Sequence, residues 1–338
     1  MAPCATASGR RDSLPGVSTL PLLVRFPALA KIPRVALGHY PTPVERLELP
    51  GASLAGELWI KRDDRTAAPL GGNKVRALEF LLGGLAPGDV VLTAGGEGST
   101  HVLTTATYVR ALGGTTRAVR WKHEMNPSAL EVAARARALC TSIVTTRGPI
   151  SGLLRAHASR RPRVLWIPPG GTSPLGMLGH VNAALELAEQ IAHGEMPLPA
   201  RVVLPVGSGG TAAGLALGFA IAGMNITLVG ARVAPRIAAG RARVLALAER
   251  ERRLIRRVSG EAIPKLDRAR VQVLDGVYAG AYGRPLASAK ASTLLLARAI
   301  GAPLDDTYSA KAFTAACELA TRKPDITLFW LTFDGHCV

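Results

Sequence analysis

Aromatic side chains are scarce in this 338-residue sequence: six Phe, four Trp and five Tyr make up 4% of it. Cysteine is scarcer, with Cys4, Cys140, Cys317 and Cys337 the full set. Their spacing shows no pairing pattern and no histidine stands at ligand spacing. That excludes a disulfide framework and a zinc site, and no metal is expected. Free thiols in a chain of this size fit a reducing cytoplasm. Acids are outnumbered, 24 Asp and Glu against 41 Lys and Arg, for a net charge of +17. No apolar run approaches the roughly 18 residues of a membrane-spanning helix, so no membrane partner is expected.

Apolar residues still make up 48% of the chain and charged ones only 19%, which excludes disorder. The length suits two domains or one large α/β unit. The N-terminal stretch carries Arg10, Arg11 and a short apolar run at 20–24 that Arg25 and Pro27 interrupt. It is too short for a secretory signal and reads as a disordered extension over 1–30 in preference to a transit peptide. Between 231 and 270, twelve basic residues face four acids, a local net of +8. Without interleaved aromatics this run reads as a solvated arginine face, and nucleic acid is not the expected partner.

Short apolar runs at 57–62, 90–93, 117–120, 142–145, 164–167, 201–206, 226–231 and 327–331 predict strands. Ala- and Leu-rich stretches at 75–82, 104–112, 127–139, 176–193, 211–222 and 285–300 predict helices. Their alternation predicts parallel βαβ units covered on both faces. In such folds ligands sit beyond the carboxyl ends of strands, where helix N-termini present free N–H groups. Three of the turns are Gly-rich: Gly95-Gly96-Glu97-Gly98-Ser99-Thr100-His101, Pro169-Gly170-Gly171-Thr172-Ser173 and Gly207-Ser208-Gly209-Gly210-Thr211. A fourth segment, Gly71-Gly72-Asn73-Lys74, opens a helix.

The 207–211 turn follows an apolar strand and opens an Ala/Gly-rich helix. Its glycines allow close backbone approach to an anion and Ser208 and Thr211 add hydroxyls, so a phosphate cradle fits better than a tight turn alone. It lacks the Gly-Lys-Ser/Thr ending of a nucleotide P-loop. The next strand ends Val229-Gly230-Ala231-Arg232 with no acid for a ribose, so a dinucleotide survives only as an NADP-type alternative through Arg232. A single small phosphate ester fits better. Lys74 at a helix start lies in the positive end of the helix dipole, which depresses an ammonium pKa and suits a nucleophilic amine. Taken alone such a lysine is ordinary; its neighbours give it weight.

Those neighbours resemble a known family. The segments Leu37-Gly38-His39-Tyr40-Pro41-Thr42-Pro43-Val44-Glu45-Arg46-Leu47, Lys61-Arg62-Asp63-Asp64 and Gly71-Gly72-Asn73-Lys74-Val75-Arg76 match its start in order. The match continues through Ile167-Pro168-Pro169-Gly170-Gly171-Thr172, the 207–211 turn, Gly280-Ala281-Tyr282-Gly283 and 304–311. The sequence resembles, over roughly 30–335, the pyridoxal-phosphate enzymes that include D-cysteine desulfhydrase and 1-aminocyclopropane-1-carboxylate deaminase, of the tryptophan-synthase-β-like fold. The resemblance implies that Lys74 carries the cofactor and moves the substrate Cα proton. It implies a phosphate site at Gly207, Ser208, Gly209, Gly210 and Thr211. It further implies cofactor contacts from Asn73, Thr100 and Thr332, a carboxylate site at Ser99, and Tyr282 and Tyr308 on the substrate side. Ser309 would face the pyridine nitrogen. The deaminase branch carries a glutamate there, so a neutral hydroxyl favours β-elimination giving a 2-oxo acid and ammonia, over cyclopropane ring opening.

The sequence departs from the family pattern in three places. Thr100 stands for an asparagine expected to reach the cofactor's phenolic oxygen, Ala310 for a glycine, and Phe333 for a glycine where the cofactor would approach. These keep a catalytically impaired homologue open as an alternative, beside the NADP-linked reductase. His101 and His180 read as caps or cofactor neighbours, the four tryptophans as core, and Asp63 and Asp64 as an Asx turn. The resulting expectation is a two-domain α/β enzyme, each domain a mostly parallel twisted sheet flanked by helices. Residues 31–76 and 186–338 form the larger, cofactor-binding domain and 77–185 a smaller inserted one. A cytoplasmic homodimer acting on a small amino acid completes the reading.

Overall fold

The computed structural model describes residues 19–301, 303–333 and 335. Its strands are β1 (Val44–Arg46), β2 (Leu58–Arg62), β3 (Val90–Gly96), β4 (Thr115–Trp121), β5 (Ser142–Thr146), β6 (Val164–Ile167), β7 (Arg201–Val206), β8 (Thr227–Arg232), β9 (Val271–Leu274) and β10 (Thr327–Leu331). The α-helices are α1 (Pro21–Arg25), α2 (Asn73–Leu81), α3 (Thr100–Ala111), α4 (Pro127–Leu139), α5 (Pro149–Ala158) and α6 (Pro174–Ala192). They continue with α7 (Gly210–Ile221), α8 (Arg236–Ala239), α9 (Arg241–Ser259), α10 (Ala289–Ile300) and α11 (Ser309–Arg322).

Two sheets result, one ordered β1-β2-β10-β7-β8-β9 and one ordered β5-β4-β3-β6. Every neighbouring pair is parallel except β1 with β2. The parallel pairing is what the alternating pattern predicts, and the division into two sheets is what the family resemblance implies. Strand β10 is buried at all five positions, which its unbroken apolar run Leu328-Phe329-Trp330-Leu331 requires of a strand covered on both faces. It lies between β2 and β7, so the carboxyl ends of three strands meet at one place. The segments that follow them are the Asp63 turn, the 207–211 loop and Thr332.

The extension expected over 1–30 needs correction at its end. Residues 1–18 lie outside the described residues, but Leu20, Leu22, Phe26 and Leu29 are buried in the main core against α6. Their 20-22-26-29 spacing is an apolar stripe of short helical turns, and burial of such side chains contributes roughly 1.5–3 kcal/mol each. The boundaries drawn at 76/77 and 185/186 also fall inside continuous helices, α2 and α6, which pack on each other. Helix α9 buries Val244, Leu247, Ala248, Glu251 and Ile255 on one face and turns Arg243, Arg250, Arg253, Arg256 and Arg257 outward. Cys140 and Cys317 are unpaired, while Cys4 and Cys337 lie outside the described residues. Among the described residues no helix is long and apolar enough to cross a membrane.

Candidate active site

A buried ionic frame lies beneath the turn that carries Lys74. Strand β2 delivers Lys61, the turn after it Asp63, α2 Arg76 and α6 Glu186. Arg76 reaches Asp63 at 2.7 Å and Glu186 at 2.8 Å, and Lys61 reaches Glu186 at 2.6 Å. Thr42 Oγ1 and Trp330 Nε1 donate to the Asp63 carboxylate at 3.0 and 2.8 Å. Two cations and two carboxylates balance. Burial pushes the Glu186 carboxyl up, but Arg76 and Lys61 outweigh it and hold it at about 2. Asp63 is therefore an ion-pair partner rather than the Asx turn expected of it; Asp64 pairs with Arg62 at 2.7 Å.

Lys74 is the second residue of α2. Its side chain is partly open, and among the described residues its amine has no hydrogen bond or ion pair. The protein closes round it densely enough that desolvation lowers the ammonium to about 8. Desolvation is the cause, at the start of a helix whose dipole acts in the same direction. Two buried histidines share this space. His101 falls to about 3 through burial and then the charge of Lys74, and its Nε2 lies 2.9 Å from Thr93 Oγ1. His180 is lowered by burial and by the charges of Lys74 and Arg76.

The neighbouring segments are tied to this amine's helix. Asn73 donates its N–H to Thr332 O at 2.9 Å and its side-chain amide to Thr211 Oγ1 at 2.8 Å. It is the carbonyl of Thr332, not its hydroxyl, that makes this bond. Gly72, at φ +139°, forms a bridge with Phe333, and a Cβ there would meet Thr332 O at 2.6 Å. Phe333 packs its bulk into the core beside this bridge. Its ring is buried with Leu70, Val102 and Leu103 beneath the smaller sheet. Thr211 Oγ1 also lies 3.3 Å from His180 Nε2. Gly209 caps α7 at φ +85°, a left-handed conformation that suits glycine. Thr172 Oγ1 donates to Ser208 Oγ at 2.7 Å, bringing the 169–173 turn onto the 207–211 loop.

The tyrosines complete the cleft. A Cβ on Gly207 would meet the Tyr308 ring at 3.2 Å, and one on Gly96 would meet Tyr282 at 3.3 Å. The hydroxyls of Tyr282 and Tyr308 hydrogen-bond to each other. Burial pushes the Tyr282 phenol up to about 12 and raises Tyr308 as well. Ser99 is buried at the N-cap of α3, and Thr100 opens that helix, its carbonyl accepting from Thr104 Oγ1 at 2.8 Å. Asp305 accepts the N–H groups of Tyr308 and Ser309 at 2.6 and 3.0 Å. The Ser309 hydroxyl lies close to that carboxylate, yet it is buried without a well-formed hydrogen bond.

Contacts thus run from Gly72 and Asn73 to Thr332 and Thr211, and from Gly207 through Tyr308 and Tyr282 to the Ser99 turn. Sequence reading missed the Lys61–Asp63–Arg76–Glu186 frame. Its signal was four consecutive charged residues, 61–64, at the end of an apolar strand. Arg232, the residue of the nicotinamide alternative, is engaged with Asp275, Ala234 O and the Tyr278 ring.

Residues 35–331 match the family model described as pyridoxal-phosphate dependent enzyme. The chain belongs to this family. That removes the nicotinamide alternative. Among curated family relatives, the D-cysteine desulfhydrases of Salmonella choleraesuis and Klebsiella pneumoniae are each 32% identical over 87% of this chain and 90% of their own. A solved structure described as an ACC deaminase homologue is 28% identical, with a TM-score of 0.74, covering 94% of this chain and 95% of that one. O-ureido-L-serine synthase, at 18% identity and a TM-score of 0.62 over 89% and 91%, shares the fold. The residues present fit the family's cofactor on three counts. An unpaired amine at about 8 suits covalent capture of an aldehyde. A glycine loop opens α7 where a phosphate binds well. A buried hydroxyl at Ser309 lacks a proper partner of its own.

Proposed function

We propose that this chain is a lyase that eliminates the β-substituent of a small amino acid, with D-cysteine as the substrate class. The overall step is D-cysteine plus water giving pyruvate, hydrogen sulfide and ammonia. The observation that carries it is the 32% identity, over 87% of this chain, to two D-cysteine desulfhydrases. Ser309 supports elimination over ring opening, because a neutral hydroxyl does not hold a proton on a ring nitrogen as a carboxylate does.

Pyridoxal phosphate, when bound, withdraws electrons from the substrate Cα. Lys74 would hold the cofactor, and its amine, at about 8, is a competent base near neutral pH for the substrate Cα proton. The 207–211 loop, with the start of α7, receives the phosphate, and the Asn73–Thr211 bond fixes the spacing between that loop and the helix of Lys74. Ser99 and the N–H groups opening α3 take the substrate carboxylate. Tyr282 and Tyr308, raised by burial, keep their protons at neutral pH, and one of them protonates the departing sulfur. The cleft between the two sheets is taken as the boundary of two lobes, in a cytoplasmic homodimer.

The test is the absorbance spectrum of the purified, cofactor-loaded protein with D-cysteine, L-cysteine, D-serine or 1-aminocyclopropane-1-carboxylate added, together with sulfide and 2-oxo acid release. The expected result is a spectral shift and sulfide release with D-cysteine. Ring opening without release of any thiol would overturn the reading.

A further inference from the structure

The reaction as drawn leaves His123 unused. It lies between β4 and α4, and its ring occupies a slot between two glycine backbones. A Cβ on Gly96 would come within 2.8 Å of its Cδ2, and one on Gly283 within 3.2 Å of its Nδ1. The ring meets Tyr282 edge-on, with centroids 4.7 Å apart and planes at 79°. Its two nitrogens face two carbonyl oxygens: Nδ1 is 2.6 Å from Glu124 O, and Nε2 contacts Glu97 O. A carbonyl only accepts, and a neutral imidazole has a single N–H. Only the imidazolium makes both bonds; the neutral ring sets a lone pair against one carbonyl.

The same loop grips the Tyr282 segment elsewhere. Asn126 Nδ2 donates to Gly283 O at 3.0 Å and to Thr307 Oγ1 at 3.1 Å. Glu124 pairs with Arg284 at 2.8 Å. The charged and titratable groups round the ring are Glu97, paired with Arg120 at 3.3 Å, Lys122 and Glu124 on its own loop, Arg284, and Tyr282 with Tyr308 behind it. The ion pairs cancel and Lys122, left over, opposes a charged ring, so the two carbonyl oxygens are the neighbours that favour the imidazolium.

We propose that His123, as an imidazolium, is a positioning residue for substrate binding: it fastens the turn that carries Ser99 to the loop that carries Tyr282, and loosens both on losing its proton. This rests on the assignment of Ser99 and Tyr282 to the substrate side. Nitrogen-15 NMR of histidine-labelled full-length protein, with and without pyridoxal phosphate, reads the ring directly, His123→Phe supplying the assignment. Both nitrogens are expected to be protonated on the acid side of a one-proton titration. In loaded enzyme KM should rise about tenfold through the same midpoint, with kcat within about twofold. His123→Phe should carry the raised KM at every pH and lose that limb. Asn126→Ala, which cuts the same grip without a titrating group, should raise KM and keep the limb. A ring with one bare nitrogen throughout, or a limb that persists in His123→Phe, overturns the proposal. If no amino acid turns over, the functional reading fails, and the NMR titration still decides the state of His123.

Discussion

Two lysines flank one turn, and they are handled in opposite ways. Lys61 is fully buried, and its amine bonds to Glu186, Gln190 and the carbonyl of Thr42. Burial lowers its pKa while Glu186 pulls it back up. Lys74 has no acid beside it, and burial alone takes it to about 8. A buried charge with a carboxylate partner is a fixed part of the frame, whereas one with none is costly unless its neutral form is put to use. The frame is closed and balanced, and the site beside it keeps the Lys74 amine, His180 Nδ1 and the Ser309 hydroxyl short of partners. The contrast agrees with the proposed division of roles between the two lysines.

Substitutions on each side should separate these roles. The largest effect is expected at Lys74→Ala: kcat falls by about 10³-fold or more while the thermal midpoint barely moves. Capture of pyridoxal phosphate by the wild-type amine, followed by absorbance, should climb with pH and level off above about 8, and vanish in the variant. A loss of activity that merely tracked loss of fold would erase the contrast. Glu186→Gln should do the reverse. It leaves Lys61 and Arg76 short of a counter-charge and lowers unfolding stability by about 3–5 kcal/mol, read by urea titration. Because Glu186 is depressed to about 2 from an ordinary 4.5, its contribution is complete above 4.5 and is lost as pH falls through about 2. The gap between wild type and variant should therefore close in strong acid.

The smallest effect is expected at Glu251 on α9, buried with both carboxylate oxygens unbonded and its pKa raised well above 4.5 by desolvation. For a carboxyl raised in the folded state the favourable side lies below 4.5, and stability is lost as pH rises towards the folded value. Glu251→Gln should flatten that decline and gain about 1 kcal/mol in mild alkali. A variant curve parallel to the wild type would mean that Glu251 finds a partner in solution.

The fold was legible where its signal is local. Eight strands were located because each is a short apolar run between helical stretches, and the glycine turns marked the carboxyl ends of the sheet. Helices α9 and α11 were missed although their buried residues recur at helical spacing. In α9 the arginines masked the stripe Val244, Leu247, Ala248, Ile255, and in α11 the stretch opening at Ser309 was read as a motif loop. The three-residue β1 is too short to show any periodicity. The site was legible as motifs and not as electrostatics. Lys61 and Arg76 find Glu186 across 125 and 110 residues of chain, a pairing that no window of sequence contains. The same distance hides the bond from Asn73 to Thr211.

The central place of β10 has a bearing on synthesis. While the ribosome has produced only as far as β9, strands β2 and β7 have no common neighbour, and the larger sheet exists as two unjoined halves. Thr332 and Phe333 are equally unmade, so the peptide around Gly72 and Asn73 lacks the backbone it leans on. A polypeptide stalled before residue 327 therefore leaves Lys74 on an unsupported turn, and if Lys74 holds the cofactor as proposed, loading is expected only after the final strand has emerged.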